Sequence, residues 1–154
     1  MLEKKFQDFG IDFEIKQQEN SPTELQKLFN DEIKNIDGVL FDYYQKISKN
    51  LASYYFILNT SQKDKTSTVG YARILEDDFY WNIYELFITY NFRELGLGTK
   101  LFKHITDIAN INNFPIRSFA LPSDRQAKNF YESNAITAKV LIMEKKRENN
   151  RYRP

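Results

Sequence analysis

The sequence of 154 residues predicts a single α/β domain, a three-layer-like arrangement with a central mixed sheet and flanking helices. Two observations predict this class. Three strand-like segments follow one another in the middle of the chain, and strands then alternate with helices toward the C-terminus. Because no repeat or linker-like stretch interrupts the chain, we expect one domain over 1–154, with a basic and flexible tail at about 146–154.

The elements themselves follow from the spacing of apolar residues. Alternation, as in Ile11, Phe13 and Ile15, predicts strands, whereas apolar residues three and four positions apart predict helices. Segments 21–24 and 123–126 have the form of capping boxes and predict helix starts. Segment 60–68 is polar and predicts a hairpin loop. The predicted strands cover 11–16, 54–58, 69–75, 79–88, 115–121 and 137–145, and the predicted helices cover 21–36, 40–50, 98–112 and 123–133.

Composition excludes several classes of function. A net charge of +1 favours neither nucleic acid nor a strongly acidic partner. The chain has no Cys, which excludes disulfides, thiolate nucleophiles and Cys-based zinc sites, and we expect no bound metal. The single histidine, His104, is expected at the surface or boundary of a helix. No apolar run approaches about 18 residues and the N-terminus lacks a signal core, so we expect a cytoplasmic protein without membrane contact.

The segment from Tyr84 to Leu101 carries the clearest functional pattern. An apolar strand leads through a short loop into a turn that contains Gly96 and Gly98 and opens an amphipathic helix. The first turn of a helix has unpaired N–H groups and the positive end of the helix dipole, so it favours an anion such as pyrophosphate. Arg93 can add positive charge, and Thr99 can add a hydroxyl donor. A Walker loop and a dinucleotide fingerprint are both absent.

Two motifs carry a resemblance to a known family. The pattern Arg93-x-x-Gly96-x-Gly98, between an apolar strand and a helix, resembles the coenzyme A motif of the GNAT-type N-acetyltransferase superfamily. A second segment, 124–132, resembles the family's Asn-x-x-Ala-x-x-x-Tyr-Glu motif at the expected distance. In it Ala127, Tyr131 and Glu132 match. Two departures stand beside these matches: Asp124 replaces the usual Asn, and segment 134–136 replaces a Gly-Phe region.

The resemblance implies the acyl-CoA N-acyltransferase (GNAT) fold, whose sheet splays open beside the strand that ends near Ile88. Acetyl-CoA, as the co-substrate, would lie in that opening. The backbone of Phe87 and Ile88 would then face the pantetheine arm, and Asn129 is a further candidate contact. The N–H groups expected around the pyrophosphate belong to Glu94, Leu95, Gly96, Leu97, Gly98 and Thr99.

Two residues are candidates for proton transfer. Tyr131 matches the family's frequent general acid, because a phenol with an ordinary pKa of about 10 is protonated at neutral pH. Its alternative role is packing of its helix against the sheet. Glu85 is the candidate general base, since some members carry a catalytic Glu on this strand. Its alternative role is a solvent-facing or ion-paired strand residue, and strand alternation does not decide which face it occupies.

These features predict an acetyl-CoA-dependent N-acetyltransferase that acts on a primary amine by direct transfer. Two alternatives stay open: a catalytically weak or inactive coenzyme A-binding regulatory module of the same fold, and an acyltransferase with a macromolecular acceptor. The expected partner is a small-molecule or peptide amine rather than nucleic acid. Dimerisation is common in such folds, and the sequence leaves a homodimer open.

Overall fold

The computed structural model describes residues 3–47 and 52–145. In these residues six strands form one sheet, ordered β1-β2-β3-β4-β5-β6. Neighbours from β1 to β5 are antiparallel, and β6 is parallel to β5, so the sheet is mixed as predicted. The strands are β1 Glu3–Asp8, β2 Ile11–Gln18, β3 Ser53–Gln62, β4 Lys65–Glu76, β5 Trp81–Ile88 and β6 Ile116–Ser118, and the helices are α1 Thr23–Ile36, α2 Gly38–Ile47, α3 Leu97–Ile111 and α4 Arg125–Ser133.

Helices cover both faces of the sheet, which confirms the three-layer-like prediction. On one face the strands bury Ile15, Leu58 and Ile74 together with the inner side of α3. The opposite face buries Ile57, Tyr71 and other side chains against α1 and α2. His104 belongs to the first core, where its ring meets Phe56 edge-on at 6.0 Å, so the predicted surface position of His104 is wrong. Among the described residues, no helix is long and apolar enough to span a membrane.

Two tight hairpins join β1 to β2 and β3 to β4, and the sequence predicts only the second. Lys63 and Asp64 join β3 to β4 with φ of 50° and 63°, the left-handed pair typical of a two-residue type I′ turn. The hairpin predicted here is confirmed, but its loop is shorter than 60–68, because the two strands extend through most of that segment. Phe9 and Gly10 join β1 to β2 in the same way. Strand β1 is mostly polar and exposed, so it lacks the alternation of apolar and polar residues that would predict a strand.

The predicted final strand, 137–145, is wrong. The structure assigns no strand to these residues, and the four apolar side chains from Val140 to Met143 are 66–86% exposed. The apolar run suggested a buried strand, but a run is buried only where a neighbouring strand and a core exist to receive it. Edge strand β6 has three residues, shorter than the predicted 115–121, and no strand of the described chain pairs with its outer edge.

The two predicted capping boxes are wrong as well. The Ser21 hydroxyl bonds Gln26 Oε1, and α1 begins after Pro22 without a side-chain cap. At α4 the cap is Asp124, whose Oδ1 accepts from the Ala127 N–H, whereas Ser123 donates to Asp37 of the α1–α2 junction. The end of the predicted second helix, 48–50, and the predicted tail, 146–154, lie outside the described residues.

A bulge in β5 reverses its side-chain alternation. Arg73 of β4 pairs with Glu85, but the next residue, Ile74, pairs with Ile83, so Tyr84 has no partner in the register. As a result, Ile83 faces the α3 side, while Tyr84 packs in the α1–α2 core and the Glu85 carboxylate meets Gln26 of α1. The bulge settles which face Glu85 occupies.

Strands β5 and β6 separate after a short parallel pairing. The register joins Trp81 to Ile116, with two further pairs that end at Ile83 and Ser118. The Phe119 N–H still donates to Ile83 O at 3.0 Å, but β5 continues to Ile88 beside a diverging chain. The splayed sheet implied by the family resemblance is confirmed.

Gly70 of β4 should be essential for stability, because a Cβ there would lie 2.6 Å from Ile88 Cδ1 and 2.9 Å from Phe87 O. We expect Gly70→Ala to lower the free energy of unfolding by about 1–3 kcal/mol in urea denaturation, since the backbone of β5 must move. Gly38→Ala is the control, because an added Cβ at Gly38 meets no atom within 4 Å. Equal free energies of unfolding for the two variants would contradict this prediction, because the backbone of β5 would then shift without loss of stability.

Candidate active site

The separation of β5 from β6 opens a cleft of about 330 Å³. The free half of β5 forms one wall, and the starts of α3 and α4 form the other sides. Helices α1 and α2 close the cleft at one end through Phe29, Ile33 and Tyr44. Of the predicted site residues, the cleft is lined by Phe87, Ile88, Arg93, Glu94, Gly96, Leu97, Gly98, Thr99 and Tyr131.

Three predicted site residues do not line the cleft: Glu85, Leu95 and Asn129. Leu95 packs against the core instead. Ala127 and Tyr131 lie four residues apart on α4 and therefore share the helix face that lines the cleft. Asn129, midway between them in sequence, lies on another face and is exposed to solvent.

The start of α3 has the geometry of an anion site. Gly96 is the N-cap with φ of 78°, a left-handed conformation that strongly favours glycine, and an added Cβ would meet nothing. Lys100 donates the first backbone bond of the helix, to Gly96 O at 3.1 Å. The preceding N–H groups of Leu97, Gly98 and Thr99 therefore have no acceptor within the helix and lie at the cleft, where the helix dipole is positive.

Gly98 makes room for a helix rather than for a ligand. A Cβ at this position would lie 3.2 Å from Phe130 Cε1 and 3.8 Å from Ile88 Cγ1. The missing side chain allows α4 to pack closely over the first turn of α3. Both predicted glycines thus shape the cleft, Gly96 through its backbone and Gly98 through its size.

Arg93 is held by α1. Its guanidinium makes two bonds to the Glu32 carboxylate, at 2.7 and 3.2 Å, and its Nε donates to Ile88 O at 2.7 Å. The same group lies 5.1 Å from the centre of the Phe87 ring. Arg93 therefore ties α1 to the end of β5, and Glu32 balances its charge. The sequence offered no sign of Glu32, because nothing in it indicates which α1 residue meets the loop 60 residues later.

Tyr131 stands deep in the cleft wall. It is 7% exposed and packs against the rings of Phe102 and Phe130. Its hydroxyl makes no hydrogen bond to any residue in 3–47 or 52–145. Burial raises the pKa of Tyr131 well above its ordinary value, and the Asp124 carboxylate raises it further, so the phenol stays protonated through the neutral range.

Asp124 shares the cleft wall with Tyr131. It is 7% exposed, and its Oδ1 caps α4 by accepting from the Ala127 N–H at 3.1 Å. Burial raises the pKa of this carboxyl, the Ala127 bond opposes the rise, and Glu32 adds to it. Sequence reasoning noted Asp124 as a departure from the motif but gave no reason to expect a buried carboxylate in the cleft.

Glu85 is buried behind the cleft wall in a network of donors. Its Oε1 accepts from the Tyr71 hydroxyl at 2.7 Å, and its Oε2 pairs with Arg73 Nη1 at 3.0 Å. Gln26 of α1 donates to both oxygens, at 3.1 and 3.3 Å. With 2% of the residue exposed, this arrangement corresponds to the ion-paired alternative for Glu85.

Tyr44 of α2 lies at the fork, the point where β5 and the chain that follows β6 diverge. Its hydroxyl bonds Tyr84 O on β5 and lies 3.3 Å from Phe119 O on the diverging chain. The rings of Tyr84 and Phe119 stack with centroids 4.2 Å apart. Carbonyls that would otherwise bond across the sheet are thus satisfied by a side chain.

Comparisons with known proteins agree with this geometry. The family model described as an acetyltransferase (GNAT) domain matches residues 27–134. The chain belongs to this family of acetyltransferases, and its mixed, splayed sheet is the GNAT fold. A search of curated protein sequences found no match.

Solved structures share the fold at low sequence identity. A tetramutant of the BH1408 protein from Bacillus halodurans has a TM-score of 0.62 and 15% identity over 84% of this chain and 98% of its own. An aminoglycoside acetyltransferase from an uncultured soil metagenomic sample has a TM-score of 0.54 and 13% identity, with 88% and 99% covered. AAC(6')-Iy, in complex with the bisubstrate analogue CoA-S-monomethyl-acetylneamine, has a TM-score of 0.51 and 13% identity. The match covers 86% of this chain and 98% of AAC(6')-Iy.

Tyr44→Phe should destabilise the fold, because it leaves the buried Tyr84 carbonyl without its donor. We expect the free energy of unfolding to fall by about 1–3 kcal/mol, the usual cost of an unsatisfied buried polar group. Urea denaturation measures this, with Tyr90→Phe as the matched control at a residue that is 83% exposed. If both variants unfold at the wild-type urea concentration, water replaces the hydroxyl, and the Tyr44 hydrogen bond does not stabilise the point where the strands diverge.

Proposed function

We propose that this chain transfers an acetyl group from acetyl-CoA to a primary amine by direct transfer. One observation carries the proposal: a single cleft has a helix N-terminus suited to pyrophosphate at one side and a protonated, unbonded Tyr131 at another. The acceptor class we propose is a small-molecule or peptide amine. The bisubstrate analogue bound by AAC(6')-Iy, which contains CoA, supports a coenzyme in a fold of this kind.

The binding half of the cleft would hold the coenzyme through backbone groups. The N–H groups of Leu97, Gly98 and Thr99, with the positive end of the α3 dipole, would bind the pyrophosphate. Phe87 and Ile88 lie on the part of β5 that has no β6 partner, so their backbone would face the pantetheine arm. Arg93 would stabilise this half indirectly, since its charge is balanced by Glu32.

Tyr131 would act as the general acid. The amine nitrogen attacks the thioester carbon, the C–S bond breaks, and the Tyr131 hydroxyl gives its proton to the leaving sulfur. The second proton of the nitrogen then returns to the phenolate, which restores Tyr131 and leaves a neutral amide. The raised pKa of Tyr131 keeps the acid form available up to alkaline pH.

The role of Glu85 as general base stays a prediction from the sequence. Its carboxylate does not line the cleft and already accepts bonds from Gln26, Tyr71 and Arg73. A proton from the amine would have to reach it through intervening groups or water.

Gly96→Glu should abolish coenzyme binding, because it places a carboxylate before the helix terminus that would hold pyrophosphate. Coenzyme A should raise the melting temperature of the wild type, since a ligand of the folded state stabilises it. We expect no such shift in Gly96→Glu. Gly96→Ala is the control: it shares the strain of a side chain at φ of 78° but adds no charge, so it should melt lower and keep its shift. A full shift in Gly96→Glu would remove this helix terminus from the site.

Tyr131→Phe should lower kcat by about 10²- to 10⁴-fold, the usual contribution of a positioned acid, and leave the Kd for coenzyme A nearly unchanged. Release of free thiol over an amine panel measures turnover, and the thermal shift measures binding. Tyr90→Phe is the control, because this exposed phenol lies outside the cleft. Unaltered turnover in Tyr131→Phe refutes the acid role, and wild-type binding without turnover favours the regulatory alternative.

A further inference from the structure

We propose that Asp124 is the group that binds the acceptor's ammonium and removes its proton. This inference rests on the proposed function, because it concerns the acceptor half of the same reaction. It also names the acceptor class: an amine that enters the cleft as a cation.

The position of Asp124 is the first argument. The side chain lines the cleft at the start of α4, and Tyr131 lies on the same helix seven residues later, on the same cleft face. Two turns of helix thus place a carboxylate and a protonated phenol along one wall, the arrangement that an amine and a leaving thiolate require.

The unsatisfied oxygen of Asp124 is the second argument. The Ala127 N–H occupies Oδ1, and within residues 3–47 and 52–145 nothing donates to Oδ2. Asp124 as a residue is 7% exposed, and a carboxylate in so buried a place is costly unless a cation or several donors accompany it. An ammonium group in the cleft would supply both charge and N–H donors.

The surrounding charges support a cationic guest. Glu32 of α1 raises the pKa of Asp124, and Asp124 in turn raises the pKa of Tyr44 of α2 and of Tyr131 of α4. None of these three neighbours is a cation. The cations of its own helix, Arg125 and Lys128, are exposed to solvent. The nearby Arg93 is already paired with Glu32.

The other buried carboxylates are already satisfied. Glu85 pairs with Arg73 and accepts from two further donors. Asp37 accepts from the Leu40 N–H at 3.0 Å and from the Ser123 hydroxyl at 3.0 Å. Asp124 alone among these three lines the cleft and keeps a free oxygen in the described chain.

The proton balance closes with Asp124 as base. The ammonium transfers one proton to Asp124 Oδ2, directly or through one water, and the neutral nitrogen forms the C–N bond as the C–S bond breaks. Tyr131 protonates the sulfur and recovers a proton from the nitrogen. Asp124 then releases its proton to solvent, so each turnover yields one amide, one thiol and one proton.

Asp124→Asn tests the inference with little structural disturbance, because Asn is also a good N-cap and is the residue common at this position of the motif. We expect a wild-type melting temperature and a wild-type shift with coenzyme A, but about a 10²-fold fall in kcat/KM at pH 7. The acceptor used is the amine that gives the fastest thiol release in a panel of polyamines, amino acid amides and aminoglycosides. Asp124→Ser, a second cap-retaining variant, should show the same loss.

The pH profile separates a base from a structural residue. Wild-type kcat/KM should rise with pH as Asp124 loses its proton, with an acid limb above the ordinary Asp pKa of about 4, because burial raises the pKa of this carboxyl. That limb should vanish in Asp124→Asn and persist in Asp37→Asn, the matched control with a buried capping carboxylate outside the cleft. Glu85→Gln is the competing variant, because the sequence predicts Glu85 as the general base, and it is compared with Asp124→Asn for loss of the same limb.

Two outcomes overturn the inference alone: unchanged kcat/KM in Asp124→Asn, or an acid limb that disappears in Glu85→Gln instead. Failure of the proposed function has a different signature. In that case the wild type shows no shift with coenzyme A or no thiol release with any amine of the panel, and the role of Asp124 falls with it.

Discussion

The structure depends on one constraint, the parting of β5 and β6 after Ile83. A sheet that stayed paired to the end of β5 would have no cleft, because the backbone of β5 would bond to its neighbour. The Tyr44 hydroxyl lies where the two strands part and contacts carbonyls of both, Tyr84 O on β5 and Phe119 O on the diverging chain, which a neighbouring strand would otherwise engage. Everything assigned to the coenzyme and to the acceptor lies along the edges of this opening.

Charge is distributed unevenly around the cleft. The start of α3 presents unpaired N–H groups and a positive dipole, and the Arg93 guanidinium, which also lines the cleft, is balanced by Glu32 of α1. Helix α4 presents the opposite, a buried carboxylate at its N-cap and a buried phenol about two turns later. The proposed anion site and the proposed proton-transfer groups therefore lie on two different helices, and Gly98 of the first allows Phe130 of the second to pack closely against it.

Prediction succeeded where signals were local. The apolar spacing of α3 and the glycine turn before it lie within one segment, so the helix and its open terminus follow from neighbouring residues. Prediction failed where a partner decides the outcome. The run from Val140 to Met143 is strand-like in composition but finds no pairing edge in the described structure, whereas the polar β1 pairs along all of β2. The hairpin between β3 and β4 was predicted from its polar residues, but its two-residue turn was not, because Lys63 and Asp64 include no glycine to indicate it.

The sequence by itself determined the fold class, the order of most elements and the glycine turn that opens α3, because periodicity and short motifs depend on residues close along the chain. Tertiary structure decided the rest. A one-residue bulge set the face of Glu85 and gave its carboxylate to Arg73 rather than to the cleft. Packing across more than 60 residues of chain gave Arg93 its partner, and the burial of Asp124, which raises the pKa of its carboxyl, exists only in the folded chain. Burial and long-range pairing are properties of the assembled chain, so no local pattern encodes them.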